Sequence, residues 1–92
     1  MNLRQARLVS EEKGPSPEND RRWISRKISY RAEGGYWTVI LRDCESIYND
    51  MPGGGTPERL DALLKVLEEE GFGIKKSRDF SGSFREISWS VN

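Results

Sequence analysis

Residues that commonly carry out catalysis or bind metals are scarce in this chain. Histidine is absent, and Cys44 is the only cysteine among 92 residues. The chain therefore cannot form a Ser-His-Asp triad, a Cys-His pair or a histidine-containing zinc site. Asp43, Glu45 and Asp50 could offer oxygen ligands to Mg²⁺ or Ca²⁺, but their spacing matches no known binding loop. We expect a protein that is not an enzyme, with no cofactor, no catalytic residue and no metal site.

The stretch PGGGTPER, residues 52–59, could hold an anion, because glycines lead into a predicted helix N-terminus with free backbone N–H groups. The spacing matches neither the phosphate-binding loop G-x-x-x-x-G-K-[ST] nor the dinucleotide pattern G-x-G-x-x-G. Glu58 would also repel a phosphate. We interpret the glycines as a turn into a helix rather than as a nucleotide site.

The stretch RRWISRKISYR, residues 21–31, is the best functional clue, with five basic residues, two aromatic ones and no acidic one. The formal net charge of the chain is zero, but residues 1–42 carry nine Lys/Arg against five Asp/Glu, and residues 43–92 carry six against ten. A partner recognised by charge would therefore meet one face of the molecule.

Residues 23–43 are predicted to form a β-hairpin, because β-branched and aromatic residues flank Gly34 and Gly35, a pair suited to a tight turn. In this register Ile28 and Tyr30 face the core. Arg26 would face Asp43, and Lys27 would lie opposite Arg42 on the outer face. That like-charge pair should be mildly destabilising unless a carboxylate or an anionic ligand compensates.

The outer face of this hairpin combines cations with aromatic rings, which suits either an acidic protein or single-stranded nucleic acid. Outward Lys and Arg also serve simply to block edge-to-edge aggregation. The predicted partner-binding residues on this basic and aromatic sheet face are Arg21, Arg22, Trp23, Lys27, Arg31, Tyr36 and Arg42.

Residues 56–73 are predicted to form one amphipathic helix. Thr56 suits the N-cap, Pro57 the first helical position and Gly71 the C′ position. Leucines at 60, 63, 64 and 67 form one apolar stripe that should pack on a sheet. Three acidic residues at the helix end form a solvated surface or, alternatively, a second partner-binding patch: Glu68, Glu69 and Glu70.

A second hairpin is predicted over residues 73–92. A three-residue loop at 81–83 would pair Phe80 with Phe84, whereas a two-residue loop at 82–83 would place Asp79 opposite Glu86, which is less favourable. Ile87, Trp89 and Val91 would point to the core.

The predicted fold class is therefore α+β, a small single domain with ββαββ order. It would have an antiparallel or mixed sheet and one helix on one face. Residues 1–22 are predicted to be a flexible N-terminal segment, with a possible extra edge strand at 3–9, and residues 23–92 the α+β domain. The alternatives for the N-terminal piece are a fraying helix turn and disorder.

These patterns favour a non-enzymatic protein-binding module or inhibitor that docks stoichiometrically on a larger complex. By analogy of size and composition we expect a bacterial or phage accessory protein. The alternative is a nucleic-acid-binding domain that uses the basic and aromatic face. A single cysteine and no apolar leader or membrane-length run favour a cytoplasmic protein without a membrane partner.

Overall fold

The computed structural model describes the backbone of residues 2–90, and the side chains of residues 2–8 and 14–90. They form a small α+β domain with a three-stranded antiparallel sheet and four helices. The elements are α1 (Leu3–Lys13), α2 (Pro17–Glu33), β1 (Thr38–Arg42), α3 (Glu45–Asp50), α4 (Pro57–Glu69), β2 (Gly73–Asp79) and β3 (Gly82–Ser88). The order is ααβααββ, so the predicted ββαββ order with a single helix is wrong.

Helix α4 forms where the sequence predicts it. The side chain of Thr56 accepts a hydrogen bond from the backbone N–H of Arg59 at 3.2 Å, and Pro57 occupies the first turn, where it needs no N–H partner. At the other end Gly71 has φ of +107°, a left-handed conformation that ends the helix without a Cβ penalty. The leucine stripe is buried as expected.

Residues 17–33 form helix α2, so the predicted hairpin over 23–43 is wrong. Ser16 caps the helix by accepting a hydrogen bond from the N–H of Asn19 at 3.0 Å, and Pro17 begins the first turn. Gly34 has φ of −81° and Gly35 has φ of +86°, so the pair ends a helix instead of joining two strands. Tyr30, predicted to be in the core, is 78% exposed.

Strands β2 and β3 form the predicted second hairpin, but with a different register. Asp79 pairs with Gly82, which leaves Phe80 and Ser81 as a two-residue loop. The backbone N–H of Ser81 donates to the Asp79 carboxylate at 2.8 Å, and Phe80 is fully exposed. The predicted pairing of Phe80 with Phe84 is therefore wrong, because Phe84 lies opposite Ser77.

Strand β3 lies in the centre of the sheet, between β1 and β2. Val39, Ile87 and Ile74 are aligned across the three strands on the face that meets the helices. The predicted core residue Trp89 packs against this cluster, and Val91 lies outside the described residues.

Buried apolar side chains of the sheet, of α2 and α4, and of Met51 after α3 make one core, and burying each contributes about 1.5–3 kcal/mol. This core consists of Trp23, Ile24, Val39, Leu41, Met51, Leu60, Leu63, Leu64, Leu67 and Ile87.

The core face of the sheet also holds a buried cation, Arg85, which is 6% exposed. Its Nε donates to the Asp61 carboxylate of α4 at 2.8 Å, and its Nη1 lies 3.3 Å from the Tyr48 hydroxyl and 3.7 Å from Asp43 Oδ1. Burial lowers the pKa of Arg85, but the bonds to Asp61 and Tyr48 raise it by more. These partners keep the guanidinium charged beneath α4.

The N-terminal residues are helical, not extended. Residues 3–13 form α1, which differs from the edge strand considered over 3–9, and α2 continues through the predicted boundary at residue 22. Leu3 and Leu8 on α1 are 69% and 53% exposed. Asp20 of α2 is buried and paired with Arg59 of α4, and the division into a flexible segment 1–22 and a domain 23–92 stays a prediction.

Candidate functional site

Arg31 lies in the last turn of α2, where the chain turns toward β1. Its Nε donates to the backbone carbonyl of Thr38 at 3.2 Å. Its guanidinium carbon lies 3.8 Å from the centroid of the Tyr36 ring, a cation–π stacking distance. Two of the predicted site residues, Arg31 and Tyr36, therefore contact each other at the start of the edge strand.

Lys27, one turn earlier on α2, is held by Asp50 at the end of α3. Lys27 Nζ lies 2.8 Å from Asp50 Oδ2, and the same oxygen accepts a hydrogen bond from Trp23 Nε1 at 2.9 Å. The Lys27 ammonium also lies 5.1 Å from the centroid of the Trp23 ring. The bonds from Lys27 and Trp23 lower the pKa of Asp50, so this carboxylate stays ionised and fixes Lys27 beside β1.

Arg42 ends β1 and extends over the sheet face that no helix covers. Its Nη1 lies 2.8 Å from Asp79 Oδ2, and its guanidinium carbon lies 5.1 Å from the centroid of the Phe84 ring. The bond from Arg42 lowers the pKa of Asp79. A carboxylate of this chain therefore already balances part of the charge of Arg42.

An open groove with a volume of about 490 Å³ lies beside strand β1. Its lining comes from helix α2, from strand β1 and from Cys44 and helix α3. The groove is lined by Lys27, Tyr30, Arg31, residues 39–42, Cys44, Ser46, Ile47 and Asp50, and we call it the β1 groove. It contains three cations and one carboxylate, so its charge favours an anionic partner.

The structure thus brings together three of the predicted cations, Lys27, Arg31 and Arg42, although not in the predicted way. They come from a helix and a strand, not from two paired strands, and Arg42 lies opposite Phe84. The predicted apposition of Lys27 with Arg42 is therefore wrong, as is that of Arg26 with Asp43, since the two members of each pair are not on paired strands.

The remaining predicted residues lie away from the β1 groove or inside the core. Trp23 is 9% exposed and offers no free ring for stacking. Arg21 forms a bidentate ion pair with Glu70, so the predicted basic face and the predicted acidic helix end neutralise each other at this point. Glu68 and Glu69 are exposed near the end of α4.

A second cavity, of about 790 Å³, lies between the beginning of α2 and helix α4. Arg21 and Arg22 line it together with the apolar side chains of Leu63 and Val66. Its lining is more apolar than that of the β1 groove. Arg21 and Arg59, two of its cations, are already paired with Glu70 and Asp20.

Sequence reasoning missed three exposed apolar or aromatic residues, of which Tyr30 and Ile40 line the β1 groove and Trp37 directly precedes strand β1. Tyr30 is 78% exposed, Trp37 is 60% exposed and Ile40 is 49% exposed. Helical spacing alone would not have found Tyr30, because residues 23 and 30 are seven apart and lie on nearly the same side of an α-helix, yet Trp23 is buried and Tyr30 is exposed. The exposure of Ile40 follows from the uncovered sheet face, which the sequence does predict.

Comparisons with known proteins add no assignment: no protein-family model matches the chain, and neither a curated protein nor a solved structure is significantly similar to it. Within residues 2–90, no cluster of three or more acidic or cysteine side chains is arranged to hold a metal ion. No helix in the same range has the length and apolar character needed to cross a membrane.

Proposed function

We propose that this protein is a non-enzymatic protein-binding module, or a small inhibitor, that docks on a larger protein or nucleoprotein complex through the β1 groove. The observation that carries this proposal is the groove itself, in which an unpaired strand edge adjoins three cations. Exposed Tyr30 and Ile40 add the aromatic and apolar contact area that protein interfaces favour.

The charges of the β1 groove make the partner surface acidic. Asp50 is the only carboxylate in the lining, and it is already bonded to Lys27 and Trp23. Arg31 has a backbone carbonyl and an aromatic ring as its partners, not a carboxylate. A carboxylate from a partner would therefore gain a charge-assisted hydrogen bond from Arg31 without breaking an existing ion pair.

Capture of a partner by charge-neutralised variants tests this proposal. We expect wild-type protein to retain one partner near stoichiometric amounts from its native host, and a Lys27→Met, Arg31→Met variant to lose it. The control variant Arg22→Met, Lys65→Met removes the same number of positive charges, from exposed positions outside the β1 groove. Equal retention by the groove variant and the control would refute docking through this surface.

Asp50→Asn gives a change in the opposite direction. An asparagine oxygen can still accept the Trp23 bond, whereas the charge that holds Lys27 is removed. We therefore expect tighter binding of the partner, and a faster association that responds more strongly to salt. Weaker binding by this variant would show that Asp50 is itself a contact residue.

Nucleic-acid binding is the second candidate, favoured by the exposed ring of Tyr36 stacked on Arg31 and by the exposed rings of Tyr30 and Trp37. Against it, Lys27 and Arg42 are paired with carboxylates and Trp23 is buried. Single-stranded oligonucleotide binding that weakens steeply with salt, and that fails in the Lys27→Met, Arg31→Met variant, would support this second function.

A further inference from the structure

The main-chain groups of β1 can be assigned to one edge or the other from its pairing with β3. The N–H of Asp43 donates to the Ser83 carbonyl at 3.0 Å, and the N–H of Trp89 donates to the Trp37 carbonyl at 3.1 Å. In an antiparallel pair alternate residues bond to the neighbour. Odd-numbered residues of this strand therefore bond to β3, and residues 38, 40 and 42 direct their N–H and carbonyl groups to the outer edge.

Part of this outer edge is already occupied. Arg31 Nε donates a hydrogen bond to the carbonyl of Thr38, and the N–H of Cys44 donates to the carbonyl of Arg42 at 2.9 Å. Between them, both main-chain groups of Ile40 face the β1 groove, and no described strand pairs with this edge. The groove is lined by four consecutive residues, 39–42, as expected if the strand is presented edge-on.

We infer that the β1 groove binds an extended, acidic segment of a partner protein as a fourth strand, antiparallel to β1. This inference rests on the proposed function and specifies its recognition mode, in which main-chain hydrogen bonds provide affinity and alternate side chains provide specificity. The existing sheet is wholly antiparallel, which favours the same orientation for an added strand.

The two sides of β1 specify the side chains of the added strand. On the side of α2, Lys27 and Arg31 face the groove, so alternate residues of the segment should be acidic. On the uncovered side, Ile40 is 49% exposed, so the residues of the segment that lie between its acidic residues should be apolar. The predicted segment therefore alternates acidic and apolar residues.

The charges favour such a segment over a second copy of this chain. Pairing β1 with another β1 would bring two sets of Lys27 and Arg31 to one seam, and the second Asp50 is already bonded to its own Lys27 and Trp23. Like charges facing each other across paired strands are destabilising. An acidic segment instead complements the groove.

Three synthetic peptides test the inference on the full chain. The probe is acetyl-Glu-Val-Glu-Val-Glu-Val-amide. In the proposed arrangement its valines lie opposite residues 38, 40 and 42 and direct their N–H groups to β1, whereas its glutamates direct theirs away. Within the described part of the chain, the carbonyl of Ile40 is the acceptor that remains free on this edge, so N-methylation of the central valine, which lies opposite Ile40, should weaken binding about tenfold. N-methylation of the central glutamate, the matched control, should leave binding nearly unchanged.

Binding is measured from the backbone amide resonances of the protein, and the amide of Ile40 should become protected from hydrogen exchange when the probe binds. No detectable binding at about 1 mM probe, or equal weakening by both methylations, would overturn the inference. Protection of Ile40 that rises with protein concentration alone would also overturn it, by showing that a second copy occupies the edge.

The inference and the proposed function can fail separately. Suppose that the Lys27→Met, Arg31→Met variant loses the partner, and that the partner bound to wild-type protein leaves the Ile40 amide unprotected. The β1 groove is then a docking surface, and strand addition is wrong. If the probe protects Ile40 while the groove variant still captures the partner, strand addition is possible at this edge, but the partner docks elsewhere and the proposed function is wrong.

Discussion

Removing the carboxylate of Asp61 should destabilise the fold more than removing the buried cation that it neutralises. Arg85 is 6% exposed on the core face of the sheet, and its Nε lies 2.8 Å from Asp61 Oδ1. In Asp61→Ala the guanidinium stays charged and buried but loses its nearest acceptor. In Arg85→Met the charge itself is removed and an apolar side chain of similar length remains.

The structure sets the size of the two effects. A hydrogen bond to a charged group contributes about 1.5–3 kcal/mol, so Asp61→Ala should cost about 2 kcal/mol. Tyr48, at 3.3 Å, and Asp43, at 3.7 Å, remain near the cation and keep the cost below the roughly 3–5 kcal/mol of a fully unpaired buried charge. Arg85→Met should change stability by about 1 kcal/mol or less, because Asp61 is 37% exposed and can return to water beside Lys76.

Urea unfolding followed by fluorescence of the three tryptophans measures these free energies. The Asp61→Ala variant should lose roughly 8–16 °C in Tm, given about 2 kcal/mol and a domain of this size. The double variant Asp61→Ala, Arg85→Met should resemble Arg85→Met, since the cation that needs the carboxylate is gone. The reasoning is refuted if Arg85→Met proves more destabilising than Asp61→Ala.

Two further predictions concern the start of α2 and the behaviour of the fold in acid. Ser16→Ala should lower the free energy of unfolding by about 1 kcal/mol, because the N–H of Asn19 loses its acceptor, whereas Ser29→Ala on the exposed side of the same helix should not destabilise; equal losses in urea unfolding would contradict α2. The bond from Arg85 lowers the pKa of Asp61 in the folded state. The ion pair therefore contributes fully to the free energy of unfolding above the ordinary pKa range of aspartate, and this contribution is lost as the pH falls through the pKa that Asp61 has in the folded protein. Urea midpoints between about pH 5 and about pH 2 should therefore fall less steeply in Asp61→Asn than in wild type; identical slopes would contradict the assigned pair.

The helix α4 and the second hairpin could be predicted because each is specified by residues close together in the sequence. Thr56, Pro57 and Gly71 mark the two ends of the helix, and the leucine spacing fits only a helix. The register of the hairpin could not be predicted, because the observed loop depends on Asp79 capping the N–H of Ser81 and on the positive φ of Gly82. Pairing of like residues across the strands suggested a different loop.

Helix α2 was missed although its beginning carries the same signal as α4. Ser16-Pro17-Glu18 repeats the pattern of Thr56-Pro57-Glu58, with a capping hydroxyl, a proline in the first turn and an acidic residue near the positive end of the dipole. The glycines and β-branched residues that follow favour a hairpin locally. The helix is held by long-range contacts that no local pattern reveals: Trp23 and Ile24 pack in the core, and buried Asp20 pairs with Arg59 of α4.

The cations of the candidate site, by contrast, could be grouped correctly despite the wrong fold, and the reason lies in their spacing. Lys27 and Arg31 are four residues apart, which places them on one face of a strand with a period of two and also on one face of a helix with a period of 3.6. Either element puts both cations on one side, and β1 follows closely enough in the chain for Arg42 to join them. The secondary structure decides what lies opposite these cations. The predicted strand pairing would have placed Arg42 opposite Lys27, whereas residues 17–33 form helix α2 and no described strand pairs with the outer edge of β1.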